Sequence, residues 1–190
     1  HLIVELDGQE GAVKADGAKL STILEKLDPT HLEVASDEES CEAIWDIRRS
    51  FSYSLRATGL TKMNHDVVVP RSRILDLARF SRTLQEETGY AVATFGHAGD
   101  GNLHVNVMVE EEELSQRADK VEIALDRLFQ QVLAWGGVVT GEHGVGIARM
   151  PWMEQALGSV SVEIHRSMKD ALDPQGILNP GKMIPGTDFA

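Results

Sequence analysis

Residues 90–109 read YAVATFGHAGDGNLHVNVMV, two runs rich in valine and other strand-forming residues, broken by a glycine-rich connection. The connection GHAGDGN, 96–102, is too short for a helical crossover, so strands over 90–95 and 103–109 must be antiparallel neighbours. Working outward, strand-like and helix-like stretches alternate. Strands are expected at 2–6, 31–35 and 66–69, the last halted by Pro70, and a short one at 138–140. Helices are expected at 16–27, from 38 or 39 to 57, and at 72–87, 114–135 and 161–172, several closed by glycine or followed by Asp173-Pro174. Crossover and hairpin connections together predict an α+β fold: a ferredoxin-like antiparallel or mixed sheet with helices packed on one face.

The whole-chain arithmetic narrows the function classes. One domain is expected from 190 residues. Eighteen Lys and Arg against thirty Asp and Glu give a net charge of −12, the wrong sign for gathering nucleic acid or an anionic membrane leaflet. Hydrophobic residues at 42% and charged residues at 25% are ordinary for a globular chain and argue against a mainly disordered one. A single cysteine, Cys41, rules out an internal disulfide and makes a cytoplasmic or otherwise reducing home the default. No apolar run approaches the roughly 20 residues of a membrane-spanning helix. The chain opens at His1 directly on LIVEL, as a piece of a longer polypeptide would.

Two glycine-framed clusters carry the chemistry. In GHAGDGNLHVN, 96–106, strand alternation puts His104 and Asn106 on one face and Leu103, Val105 and Val107 on the other. Gly99, Asp100 and Gly101 allow a tight reversal that brings His97 back toward His104, and two imidazoles at neighbouring strand ends are half of a metal site. A hairpin with two ordinary histidines is the plain alternative. In VVTGEHGVG, 138–146, Glu142 and His143 sit between Gly141 and Gly144. Glu142 would complete a His₂Glu shell with open positions for zinc, manganese, cobalt or iron, leaving His143 as a general base. The plain alternative is a solvated turn. Neither cluster follows the G-x-G-x-x-G or G-x-x-x-x-G-K-[ST] order of a phosphate loop. On the helix holding Ile44, Ile47 and Phe51, Arg48 and Arg49 could offer a carboxylate fork with Ser52 one turn beyond Arg48, or simply line a solvated face. Trp45, Trp135 and Trp152 are expected to fill core gaps or a partner surface, and His65 and His165 show no evident partner.

The ordered motifs GHAGDGNLHVNV, VVTGEHGVG and ALDPQGILNPGK resemble the C-terminal domain of FAD-linked oxidases and dehydrogenases of the vanillyl-alcohol oxidase type. Within that group the likeness is to the branch acting on D-2-hydroxy acids: D-lactate and D-2-hydroxyglutarate dehydrogenases and the flavin subunit of glycolate oxidase. The resemblance implies that His97, His104 and Glu142 hold a divalent ion, that His143 acts on the substrate and that Asn106 lies near it. It further implies that Arg48, in a W-x-x-R pattern with Trp45, takes the substrate carboxylate, with Ser52 beside it. A lysine before the strand ending in Pro70 corresponds either to Lys62 or to the position of Asn64. Asn179 and Lys182 of ILNPGK become the expected contacts to FAD. The same resemblance implies an N-terminal FAD-binding domain as partner, a 2-hydroxy acid as substrate, and a homodimer or electron-transfer subunits, the whole cytoplasmic or peripheral at the inner face of a membrane. A fragment of this kind is expected to be inactive alone. Two other readings are a free-standing His₂Glu metallohydrolase, weakened by the lack of H-E-x-x-H, and a non-catalytic interaction domain.

Overall fold

Side-chain alternation sorts residues onto two faces of a strand, and in the computed structural model, which describes residues 1–185, it does so across three strands in register. The described elements in chain order are α1 (Glu10–Glu25), α2 (Glu38–Arg56), β1 (Thr61–Val68), α3 (Ile74–Thr88), β2 (Ala91–His97), β3 (Asn102–Val109), α4 (Glu111–Gln116), α5 (Ala118–Ala134), α6 (Met153–Leu157) and α7 (Ser159–Leu172), with 3₁₀ turns at Arg71–Arg73 and Met150–Trp152. By packing they fall into two units, His1–Ala57 and Thr58–Ala190.

In the second unit β3 is central, with β1 and β2 both antiparallel to it, and the sheet order is β1-β3-β2. The hairpin expected from residues 90–109 is present. The path from β1 through α3 to β2 skips over the place that β3 later fills, which is the split β-α-β arrangement of an α+β fold. Val67, Leu103, Val105, Val107 and Val109 occupy one face of the sheet and join Leu77, Phe80 and Leu84 of α3 and Leu125, Leu128, Phe129 and Val132 of α5 in a single buried core. The helices therefore cover one face, as the sequence pattern implies. Ser81 of α3 and Thr94 of β2 share a hydroxyl contact of 2.8 Å within this layer, so the two polar groups there satisfy each other.

Several boundaries differ from the sequence reading, each for a physical reason. The stretch expected as one helix over 114–135 is two, because Arg117 leaves the helical region at φ −138°, ψ 43°. The strand expected at 138–140 reduces to one bridge, Val138 to Val68. α6 and the 3₁₀ turn before it have no periodic signature in the sequence, because proline and tryptophan interrupt it, yet Trp152 is buried against Phe129 with ring centroids 4.3 Å apart.

In the first unit, α2 begins where acidic and capping residues dictate. The Asp37 carboxylate accepts the Ser40 N–H at 2.9 Å, Glu38 and Glu39 stand in the first turn and Arg56 in the last. α1 starts six residues before the expected position, since Glu10, Ala12, Val13, Lys14 and Ala15 already favour a helix. Residues 2–6 and 31–35 are not strands. Alternation such as Leu2, Val4, Leu6 supplies a strand's pattern, but a strand also needs a neighbour for its amides, and neither segment has one among the described residues.

Candidate active site

The sheet face turned away from the helices is polar. Register places Asp66 opposite His104, Asn64 opposite Asn106 and Phe95 on the other side of His104, with His97 across from Asn102. His104 is 8% exposed and Asn106 fully buried, an expensive placement for polar groups without partners. Asn106 donates its amide N–H₂ to the carbonyls of Ala93 and His104 at 3.0 and 3.1 Å, but its Oδ1 has no partner. The Oδ1 atoms of Asn64 and Asn102 and the Nδ1 of His104 are likewise buried and unpartnered. Such a concentration of unmet polar atoms on one face marks a place built to meet something else.

The hairpin turn is fixed by glycine where no other residue fits. Gly101 has φ +81°, and a Cβ there would stand 2.1 Å from the Val69 carbonyl oxygen. Asp100 Oδ1 accepts the Asn102 N–H at 3.0 Å and closes the reversal.

The second cluster meets this face through Asp66, which the sequence pattern marks only as the start of a strand. Its carboxylate is fully buried and accepts the backbone N–H groups of Gly141, Glu142 and His143 at 3.0, 2.6 and 2.9 Å on one oxygen. The other oxygen receives the Thr140 hydroxyl at 3.2 Å and lies 3.1 Å from Arg149 Nη2. Burial alone would raise the Asp66 carboxyl, but the donations from Glu142 and His143, with the charges of His143 and Arg149, outweigh it and hold it below the usual carboxylate value. The available signal was an aspartate in a valine-rich strand, where it is disfavoured unless something pairs with it. Arg149, 7% exposed, carries no comparable signature in the sequence.

The loop so held brings Glu142 Oε1 to 3.4 Å from His104 Nε2 and 3.8 Å from His143 Nε2, and the two imidazoles stack with centroids 5.5 Å apart. Ligand atoms of His104, Glu142 and His143 all lie within 4.8 Å of one another. Two imidazole nitrogens and a carboxylate oxygen at that spacing suit a borderline divalent cation, and the unpartnered atoms around them suit an ion with a bound polar ligand. Burial lowers the pKa of His104, with the Glu142 charge opposing, a direction that favours the neutral ring a metal ligand needs.

Of the residues singled out in the sequence, His104, Glu142 and His143 are thus brought together, and Asn106 follows His104 on the same sheet face. His97 shares the sheet face at its exposed edge, outside the close group. Register sets Asn64 opposite Asn106, whereas Lys62 lies two residues further along, opposite Met108. In the first unit, Arg48 and Ser52 share the half-buried face of α2 with Ile44, Trp45 and Phe51, while Arg49 projects into solvent and pairs with Glu42 and Asp46. Asn179 and Lys182 are exposed, and Asn179 adopts φ +49°, which asparagine tolerates. Their segment is tied to the site's loop, because the Met183 N–H donates to the Gly146 carbonyl at 2.8 Å. Asp173 anchors its other end by accepting the N–H groups of Ile177 and Leu178 at 3.1 and 2.9 Å.

Comparison with known proteins gives the arrangement a context. The family described as FAD linked oxidases, C-terminal domain, matches residues 1–183. The glycolate oxidase subunit GlcD of Bacillus subtilis is 35% identical over 182 residues, covering 96% of this chain and 38% of that protein. A D-lactate dehydrogenase of Anaerostipes hadrus is 33% identical, covering 73% of this chain and 29% of the relative. The mitochondrial D-2-hydroxyglutarate dehydrogenase of Danio rerio is 28% identical, covering 97% and 34%. The chain spans about a third of the length of these relatives.

Proposed function

The chain belongs to the FAD linked oxidase C-terminal domain family, and from that premise we propose that it is the substrate- and metal-binding part of a flavin-dependent dehydrogenase for small D-2-hydroxy acids. The observation that carries the reading is the convergence of His104, Glu142 and His143 on a buried polar sheet face.

Oxidation of a 2-hydroxy acid to the 2-oxo acid removes the hydroxyl proton and the Cα hydrogen with its electron pair. When bound, a divalent ion polarises the hydroxyl oxygen and FAD accepts the Cα hydrogen and its electrons. His104 and Glu142, with His97 from the edge of the same face, would hold such an ion. His143 takes the hydroxyl proton at Nε2, since its Nδ1 faces Asp66 at 3.6 Å. Asn106, whose Oδ1 is buried and unpartnered, lies near the substrate in this reading. On α2 of the first unit, Arg48 with Ser52 one turn on is a pair chemically suited to a carboxylate. Lys62 on β1 offers a cation to an anionic group of the substrate. Asn179 and Lys182 would contact FAD when it is bound, from a segment whose amide at Met183 is fastened to the Gly146 carbonyl.

The spacing within 4.8 Å favours a second assignment, in which His143 replaces His97 as the third ligand. Metal analysis of folded variants separates the two. With His97 as ligand, His97→Ala, His104→Ala and Glu142→Ala lose a bound ion and His143→Ala keeps it; with His143 as ligand, the behaviour of His97→Ala and His143→Ala exchanges. Joined to a flavin-binding domain, the wild type should oxidise D-lactate, glycolate or D-2-hydroxyglutarate, and His143→Ala should lower kcat. Metal-dependent ester hydrolysis by this chain alone, without oxidation of any of these acids by the joined protein, would refute the dehydrogenase reading in favour of a hydrolase.

A further inference from the structure

We propose that Asp66 is a positioning residue, which fixes the 141–143 loop against the sheet and sets the ring orientation of His143. Nothing in the glycine-rich loop packs it in place: Gly141, Glu142, His143 and Gly144 are all exposed, and Gly144 and Gly146 have φ of +74° and +56°. A loop of that composition has a large conformational entropy to lose. The tie shared by its three consecutive amides at 141–143 is one carboxylate. Three consecutive N–H groups point at a single oxygen of Asp66, forming the concave amide arrangement that binds anions, with the anion supplied from inside the protein. The Gly141 N–H lies within hydrogen-bond distance of the Asp66 main-chain carbonyl as well, at 3.1 Å. Arg149, bonded also to the carbonyls of Asn64 and Gly144, supplies the counter-charge that makes a buried carboxylate tolerable.

The second consequence concerns the imidazole. Asp66 Oδ1 lies 3.6 Å from His143 Nδ1, and a carboxylate on that side favours the tautomer protonated at Nδ1. Nε2 is then left as the basic nitrogen, turned toward Glu142. The absence of a side chain at Gly141 lets the loop seat closely, because a Cβ there would stand 1.8 Å from Asn102 Nδ2 and the Asn102 side chain would have to move. The backbone part of this inference stands on the structure alone, whereas its bearing on metal binding rests on the function proposed above.

The test uses the 190-residue chain and cobalt(II) as the metal probe. In the wild type, the amides of Glu142 and His143 should exchange with solvent at least about tenfold more slowly than in an unfolded chain, and nitrogen NMR of the ring should report the Nδ1–H tautomer. Rapid exchange of both amides, or an Nε2–H tautomer, overturns the proposal. Asp66→Asn, checked for an intact amide spectrum, should move His143 toward the Nε2–H tautomer and weaken cobalt binding about 10–100-fold, as loss of a supporting carboxylate does elsewhere. A folded Asp66→Asn with the wild-type tautomer and cobalt affinity also overturns it. If that variant does not fold, the two wild-type measurements decide. A wild type that takes up no cobalt counts against the metal reading of the site, while exchange and tautomer still decide the role of Asp66.

Discussion

His104 Nε2 lies 3.4 Å from Glu142 Oε1, and the two side chains arrive there from opposite environments, the imidazole 10% exposed and the carboxylate 59%. The buried partner bears the energetic burden, since its Nδ1 has no hydrogen bond. His104→Leu removes that unmet atom and should make the metal-free chain more stable by about 1 kcal/mol, while abolishing cobalt uptake. Urea unfolding beside a cobalt titration checks both halves, and a variant that is less stable than the wild type would count against the site being strained for function.

His65 predicts how stability depends on pH. Burial, aided by Arg149, lowers its pKa to about 4, and its ring packs edge-on against Phe129 at 5.4 Å. The unfolded chain binds a proton near pH 6.5 while the folded chain does not until about 4, so stability should fall as pH drops through 6.5 and stop falling from this source below about 4. Between pH 7 and 5 the expected loss is about 1–2 kcal/mol. His65→Leu should flatten most of that slope in denaturant titrations at the two pH values. An equal slope in both proteins would assign the pH dependence to other groups.

Gly101→Ala should be among the most damaging single methyl additions in the chain. The new Cβ would meet the Val69 carbonyl oxygen at 2.1 Å with φ at +81°, so both contact and backbone conformation oppose it. A destabilisation of about 2–3 kcal/mol is expected, read from the urea midpoint. Gly59→Ala, with φ +78° but open space around it, should lose only about 1 kcal/mol, and near-equal losses would refute the steric part of the argument.

Trp152 donates its indole N–H to Asp126 Oδ1 at 2.7 Å, joining the 3₁₀ turn to α5. Trp152→Phe keeps a ring against Phe129 but leaves Asp126 without that donor, and should cost about 1–3 kcal/mol. A double-mutant cycle with Asp126→Ala should return a coupling of about 1 kcal/mol or more; additive losses would mean that packing alone holds the turn.

The parts of the molecule legible in the sequence are those encoded by local periodicity. Strand alternation over 103–109 put His104 and Asn106 on one face, and the short GHAGDGN link fixed the direction of the hairpin. Glycines around Glu142 and His143 marked a loop that must approach something closely. What stayed hidden depends on residues remote in the chain. Asp66 gains its meaning from amides more than seventy positions later, and Arg149 from the carboxylate it neutralises. The patterns at 2–6 and 31–35 were misleading for the converse reason, since alternation says which face a residue would take and nothing about a pairing partner.

The alternation of β3 has a last consequence for how the chain avoids error during folding. Leu103, Val105 and Val107 are interleaved with Asn102, His104 and Asn106, so sliding the strand by one position would exchange the two sets entirely. Imidazole and amides would be driven among Leu77, Leu128 and Phe129, and valines would be stranded on the other side. The misaligned sheet is therefore poor in every residue at once, and proofreading of the pairing needs no separate device: a chain that has found its core has, by the same step, assembled its chemistry.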